Sequence, residues 1–303
     1  MINFILIILC IATGMVMSKL RILPADAYKS VNAWLLYVAL PALVLRFIPE
    51  IEWNRGLLLP GLSPVIVWTG ACLFILAYAR RFRINKTTRT ALILTCGLGN
   101  TSFLGFPLIS AYYGEEQIQH AIVFDQVTFL LFATVAVFVV LKSSGLEDQR
   151  TDANYIIKKI FRFPPFLSCI IAIGLSRWID FSPAFPLLDK LVATLSPLAL
   201  FSIGLQLRIS DLGTNHRHLC YGLFYKLILA PLLVLIFVWT MNGVDNLAKI
   251  TVFEASMPSH ITASLLASQY NMNPKLCSLM VGLGIIAGFL TTLIWWLVGE
   301  YAF

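Results

Sequence analysis

The side chains with chemistry to offer are few in this sequence, and they stand inside its apolar runs. Glu254, Asp125, His260 and Lys226 are surrounded by hydrophobic residues, as are the neutral polar groups Asn100, Thr101, Ser102, Gln126 and Ser259. A carboxylate in such surroundings is expensive unless something is bound to it. Glu254 therefore reads as a group that binds a coupling cation or carries a proton, against the structural alternative of a partner for a buried Lys or Arg. His260 suits proton transfer or donation to an anionic ligand, and equally a satisfied packing role. Asp125 and Gln126, in IVFDQVTFL, are expected to face a protein interior, as ligand or as strut. Lys226 is expected to run its aliphatic stem to the cytoplasmic interface, against the alternative of a counter-charge to Glu254 or Asp125.

Two of these groups of residues adjoin helix breakers. CGLGNTSFLGFPLISAYYG (96–114) holds Asn100, Thr101, Ser102 and Pro107, and FEASMPSHITASLLASQYNMNP (253–274) holds Glu254, Pro258, Ser259 and His260. Both fall where a membrane-spanning helix is expected. A backbone that leaves its helix in lipid must find other partners for its polar groups, so the two stretches raise the question of what compensates them. Proline alone merely kinks many such helices. Paired interruptions at equivalent depth are, by contrast, the strongest sequence pointer to a transport site, because half-helix N-termini suit an anion and half-helix C-termini suit a cation.

The elements that must position these residues follow from composition. Of 303 residues 59% are hydrophobic and 12% charged, and mean hydropathy is +0.84; soluble domains carry roughly 25% charged residues. The fold class expected is an all-α integral membrane protein. Apolar segments predict ten spans, at 2–18, 30–48, 57–79, 88–112, 117–141, 163–179, 186–207, 218–241, 247–270 and 275–298. Taken alternately, the connecting segments hold 16 Lys and Arg on one side and 5 on the other, with Lys226 set aside. The net charge of +7 is thus a topology signal and not a nucleic-acid footprint. It places both termini on the extracytoplasmic side of the cell (inner) membrane. The N-terminus lacks the basic region and small-residue site of a cleaved signal and reads as the first helix.

The polar stretch 142–162 reads as a cytoplasmic linker between a first five-helix repeat, 1–141, and a second, 163–303. VALPALVL around Pro41 matches TLSPLALF around Pro197 at a shift of 156, and LISAYYG matches LLASQYN at a shift of 157. An odd number of spans per repeat inverts the second copy, an arrangement associated with secondary transporters. At that shift the broken spans 4 and 9 are equivalent. The six cysteines are scattered, without CxxC or His at ligand spacing, and read as packing residues. No cofactor, metal or enzyme motif of the HExxH, GxSxG or Walker type is present. Trp295 and Trp296 read as an interfacial belt.

GNTSFLGFPL in span 4, EASMPS and LLASQY in span 9, and the five-plus-five layout resemble the auxin efflux carrier family. This family includes plant auxin exporters and bacterial malonate-type carriers, and the 142–162 linker places the chain nearer its compact prokaryotic members. The family is similar in fold to the bile acid sodium symporters. That resemblance implies crossing, unwound spans 4 and 9, a scaffold of spans 1, 2, 6 and 7, and a core of spans 3–5 and 8–10. It also implies ion-coupling roles for Glu254 and for Met257 three residues on, and for the polar run Asn100, Thr101 and Ser102. Pro258 and His260 depart from the Gln and polar residues that follow the Met in those symporters, which leaves Na+, H+ or uniport open.

The function expected is secondary transport of small organic anions, auxin-like or mono- or dicarboxylate, by an elevator-type movement of core against scaffold. Asn100, Thr101, Ser102, Pro107, Pro258, Ser259 and His260 would line the substrate site, with Glu254, Met257, Asp125 and Gln126 on the ion-coupling side. The partners implied are the organic anion and the bilayer, with a homodimer through scaffold helices left open. The rival reading is a membrane receptor that binds an organic anion at the same crossover without moving it.

Overall fold

The computed structural model describes residues 2–51, 54–145, 164–175, 178–207, 215–242 and 245–303. The linker expected at 142–162 lies, from 146 onward, outside the described residues, as do Arg177 and Arg208. Among the described residues the chain is helical, with one isolated β-bridge. The helices are α1 (Ile2–Lys19), α2 (Ala27–Trp34), α3 (Leu40–Phe47), α4 (Leu58–Phe82), α5 (Lys86–Gly97), α6 (Phe106–Tyr112), α7 (Ile118–Leu131) and α8 (Val137–Ser144). The second half contributes α9 (Pro164–Leu175), α10 (Phe185–Val192), α11 (Leu195–Gln206), α12 (His216–Phe224), α13 (Ala230–Thr240), α14 (Asn246–Ala255), α15 (Ile261–Gln269) and α16 (Pro274–Ala302). Six continuous helical segments are long and apolar enough to cross a membrane: 27–50, 55–82, 115–144, 182–206, 216–240 and 274–302. Two shorter apolar helices, Asn3–Lys19 and Pro164–Leu175, accompany them.

Three of the long segments contain a wider π turn, at Leu35–Ala39, Phe132–Ala136 and Tyr225–Leu229, and a fourth π turn, Thr101–Gly105, precedes α6. Three of the four end two residues before a proline: Pro41, Pro107 and Pro231. Proline offers no N–H to the carbonyl four residues back and its ring crowds that carbonyl. Widening the preceding turn accommodates both effects without ending the helix. The carbonyl that Pro231 leaves, that of Leu227, accepts a hydrogen bond from Trp295 Nε1 at 2.8 Å. Trp295 is accordingly buried, which corrects its reading as an interfacial residue.

The chain divides into two compact units. The first takes its described residues from 1–54, 102–122 and 158–207. Here α1 and α11 lie so close that Gly14 and Gly204 face each other; a Cβ on Gly204 would sit 3.0 Å from the Gly14 Cα and collide with the Ile11 carbonyl. Side-chain hydrogen bonds tie the elements of this unit together, among them Ser202 Oγ to Asn32 Oδ1 (2.5 Å) and Trp34 Nε1 to Thr194 Oγ1 (2.9 Å). Arg46 pairs with Glu50 and Asp189 at 2.7 and 2.8 Å and lies over the Phe185 ring. Helix α6 packs on α1 and α11, with Asn3 Nδ2 donating to the Ser110 carbonyl at 3.1 Å. A cavity of about 210 Å³ opens beside it, lined by Ile7, Leu43, Pro107, Ser110, Asp189 and Pro197 among others.

The second unit takes its described residues from 55–101, 123–157 and 208–303. Its core joins α4, α5, α12, α13, α14, α15 and α16 through residues such as Ile75, Leu92, Leu94, Val252 and Met280. Four of its described helices start on side-chain caps: Asn85 accepts from Thr88 N, Asp245 from Ala248 N, His260 from Thr262 N and Ala263 N, and Asn273 from Leu276 N.

Gly204→Ala is expected to lower stability by about 1–3 kcal/mol, the usual range for forcing atoms into a filled interface. Gly61→Ala, in α4 with nothing near its would-be Cβ, is expected to raise it by about 0.5–1 kcal/mol through helix propensity. Thermal unfolding of the detergent-solubilised protein separates the two signs.

Candidate functional site at the crossing of two broken helices

The break in the fourth segment is short. Helix α5 ends at Gly97, Leu98 turns extended (φ −121°, ψ 126°), and helical structure resumes at Thr101. Pro107 is not the breaker; the helix runs through it, and the π turn Thr101–Gly105 before it accommodates its missing N–H. In the ninth segment α14 ends at Ala255 and α15 begins at Ile261. The two interruptions lie against each other as a minimal antiparallel pair. Gly99 and Ser259 form a bridge, Asn100 N donates to the Pro258 carbonyl at 2.8 Å, and His260 N donates to the Leu98 carbonyl at 3.0 Å. Each break thus supplies partners for the groups the other frees, which answers the backbone problem posed by the sequence.

Glycines admit this crossing. A Cβ on Gly97 would stand 2.6 Å from the Trp68 ring, and one on Gly99 would stand 3.2 Å from Lys226 Nζ and 3.6 Å from Met257 Cβ. On the other side Pro258 rests against Gly284 and Gly288 of α16. Asn100, Thr101, Met257 and Ser259 are all buried.

Charge at the crossing is arranged by neighbouring segments. Lys226 is 1% exposed and donates to the Ala255 carbonyl at 3.1 Å, at the C-terminus of α14. It therefore does not reach the cytoplasmic interface along its stem. The π turn that carries it directs the side chain inward, and a helix C-terminus is a favourable place for a cation. That turn is held by Tyr225, whose hydroxyl donates to the Val67 carbonyl at 2.6 Å, and by the Trp295 bond to Leu227. Asp125 accepts from Thr101 Oγ1 at 2.5 Å and from Gln126 Nε2 at 3.4 Å. Glu254 is fully buried, and the charged groups within its electrostatic reach are Asp125 and Lys226.

His260 is the N-cap of α15. Its Nδ1 accepts from Thr262 N and Ala263 N at 3.1 and 3.3 Å, and its ring stacks on Phe132 with centroids 5.6 Å apart. With Nδ1 accepting, a neutral ring carries its proton on Nε2. The imidazole thereby occupies the amides that a half-helix N-terminus would otherwise present to an anion.

Five buried polar atoms near these interruptions have no protein hydrogen-bond partner: both carboxylate oxygens of Glu254, Asn100 Nδ2, Gln126 Oε1 and Ser259 Oγ. Buried polar groups are nearly always paired, and those that are not point to strain, a bound species or a chemical role. The structure therefore brings Asn100, Thr101, Asp125, Gln126, Glu254, Met257, Pro258, Ser259 and His260 into one unit. Ser102 and Pro107 belong to the other unit, Pro107 on its cavity wall. Sequence reasoning ranked the inward course of Lys226 second and missed the support of Trp295. The signal for both was Pro231, two residues beyond the π turn.

These features define a polytopic helical membrane protein with paired discontinuous helices, the class to which membrane carriers belong. Residues 1–296 match the model of the membrane transport protein family, and the chain belongs to that family. Relatives include an uncharacterized transporter of Methanothermobacter thermautotrophicus, 24% identical with 95% of each chain covered. A putative malonate transporter of Rhizobium meliloti is 24% identical over 82% of this chain and 80% of its own. Auxin efflux carrier component 8 of Arabidopsis thaliana is 24% identical over 65% of this chain and 67% of its own. The resemblance to the auxin efflux carrier family is thereby borne out. The protein is a membrane transporter and not an enzyme.

The two glycines are expected to separate by substitution. Gly97→Ala drives a methyl into the Trp68 ring and should lower stability by about 1–3 kcal/mol. Gly99→Ala crowds chiefly the Lys226 ammonium, 3.2 Å from the added methyl, and should leave the melting temperature close to that of the wild type while displacing the ammonium from the Ala255 carbonyl. Thermal unfolding in detergent checks the difference.

Proposed function

We propose that this chain is a secondary active carrier of small organic anions of the mono- or dicarboxylate or auxin-like type. Its substrate binds at the crossing of the fourth and ninth segments and moves by an elevator-type displacement of a core, spans 3–5 and 8–10, against a scaffold, spans 1, 2, 6 and 7. Counting the two interrupted segments and the two shorter apolar helices with the six long ones gives ten spans, as two inverted repeats. The 16-to-5 distribution of Lys and Arg supports termini on the extracytoplasmic side of the cell membrane.

One observation carries the reading: unpartnered polar atoms accompany a crossing of two breaks whose backbones are hydrogen-bonded to each other. Their types divide by chemistry. Asn100 Nδ2 and the Ser259 hydroxyl are donors, suited to a carboxylate, whereas Glu254 and Gln126 Oε1 are acceptors, suited to a proton or cation. A carrier that couples an organic anion to an ion needs both kinds. The putative malonate transporter and the auxin efflux carrier among the relatives favour an organic acid as cargo.

Uptake into proteoliposomes, driven by an imposed ion gradient, tests the reading. Glu254→Gln is expected to abolish the dependence on the gradient, and unchanged, still coupled uptake overturns the role of Glu254. Asn100→Ala is expected to weaken substrate binding tenfold or more, since a lost hydrogen bond to a charged group is worth about 1.5–3 kcal/mol. A melting-temperature screen over organic acids identifies the cargo, because a ligand at 100 times its Kd stabilises the folded state by about 2.7 kcal/mol.

A further inference from the structure

Two buried carboxylates and one buried ammonium form the charged group at the crossing. Asp125 and Lys226 are the charged residues in reach of Glu254, and Cys96 and His260 are the other titratable groups in reach of Lys226. Of the remaining charged residues on α14 and the helices packed against it, Lys249 and Glu300 are engaged with each other at 3.1 Å. Arg80 and Arg81 stand in the last turn of α4 with Arg81 over the Phe82 ring, and Lys275 stands at the start of α16. The ammonium is not adventitious. It is placed by a π turn anchored at two points, through Tyr225 to Val67 and through Trp295 to Leu227, and it is bonded to the last carbonyl of α14. This is the position in which a half-helix C-terminus would otherwise receive a metal cation.

A second positive ion beside a fixed ammonium in a low-dielectric interior is strongly repelled. One ammonium, however, cannot neutralise two carboxylates. Asp125 accepts from Thr101 and Gln126, as an ionised carboxylate does. Both oxygens of Glu254 are buried and accept from no protein donor, an arrangement that costs an ionised carboxylate far more than it costs a neutral carboxylic acid.

We propose that Lys226 is the resident cation of the crossing and that Glu254 carries a single exchangeable proton, so that the coupling ion is a proton and sodium has no place there. The use of that proton in transport rests on the carrier reading above; the protonation and the exclusion of sodium do not.

Two measurements on the purified full chain in detergent test the proposal without any transport step. Infrared difference spectroscopy across a pH jump is expected to show a protonated-carboxyl band that Glu254→Gln removes and Asp125→Asn leaves in place. A band that survives Glu254→Gln, or that Asp125→Asn removes, overturns the assignment. Melting temperature is then compared in sodium chloride and in choline chloride at equal ionic strength. The wild type is expected to show no sodium-specific shift, and a saturable upward shift overturns the proposal. Lys226→Met is expected to gain such a shift, because removal of the ammonium opens the place to a metal cation; a folded variant that gains none overturns the resident-cation role. Should Lys226→Met fail to fold, Lys226→Arg keeps the charge and is expected to remain insensitive to sodium, with a sodium-specific shift counting against the proposal. A chain that shows the Glu254 band and no sodium response, yet moves no organic acid, removes the carrier reading and leaves this one standing.

Discussion

The structure of this site depends on one reciprocal interaction, the pairing of two interrupted backbones inside an apolar interior. A single break would leave several amides and carbonyls without partners, each at a cost of about 1–3 kcal/mol. Two breaks brought together at Gly99 and Ser259 satisfy each other through the bonds from Asn100 N to Pro258 and from His260 N to Leu98. This pairing forces most of the local composition. Gly97 must lack a side chain because Trp68 fills the space, a methyl on Gly99 would crowd the Lys226 ammonium, and Gly284 and Gly288 give room to Pro258. Polar residues beside the pair are then held at a depth where water cannot compete for them.

The π turns extend the same logic to the rest of the chain. A helix that contains proline must release a carbonyl, and the release becomes useful when another side chain is placed to take it. Pro231 frees the carbonyl of Leu227, Trp295 takes it, and the widened turn between Tyr225 and Leu229 aims Lys226 at the end of α14. A regular helix at this point would direct the lysine elsewhere. The cation at the crossing is therefore a consequence of a proline five residues away, a dependence that no local reading of Lys226 reveals.

Much of this was legible in the sequence, for identifiable reasons. Apolar length and the Gly, Pro and Asn-Thr-Ser interruptions locate the segments and the two breaks, because in lipid these features carry few alternative meanings. Glu254, Asp125 and Asn100 were visible as polar residues out of place. The extent of the break was not legible: it spans Leu98–Asn100, while Pro107, the more conspicuous breaker, lies in a continuing helix. His260 was readable as a polar residue at the site but not as the cap of α15, since capping depends on the backbone turn that precedes it. Lys226 bonds a carbonyl 29 residues away and Trp295 one 68 residues away, separations at which periodicity carries no information. The assignment of Ser102 and Pro107 to the first unit likewise follows from the packing of α6 on α1 and α11.

Charge balance connects the geometry to the proposed activity. Any displacement of this polar group through an apolar environment is easiest when its net charge is small, because the penalty for a buried ion rises steeply in low dielectric. With Asp125 ionised, Lys226 charged and Glu254 protonated the group is neutral; loss of the proton leaves one negative charge with no donor to hold it. An organic anion bound nearby adds a further negative charge and so favours the protonated form of Glu254, while an ionised Glu254 disfavours the anion. By linkage the two effects are equal. Under the proposed carrier reading anion and proton bind together and leave together, with the coupling arising from Coulomb repulsion between a substrate carboxylate and one unpartnered glutamate.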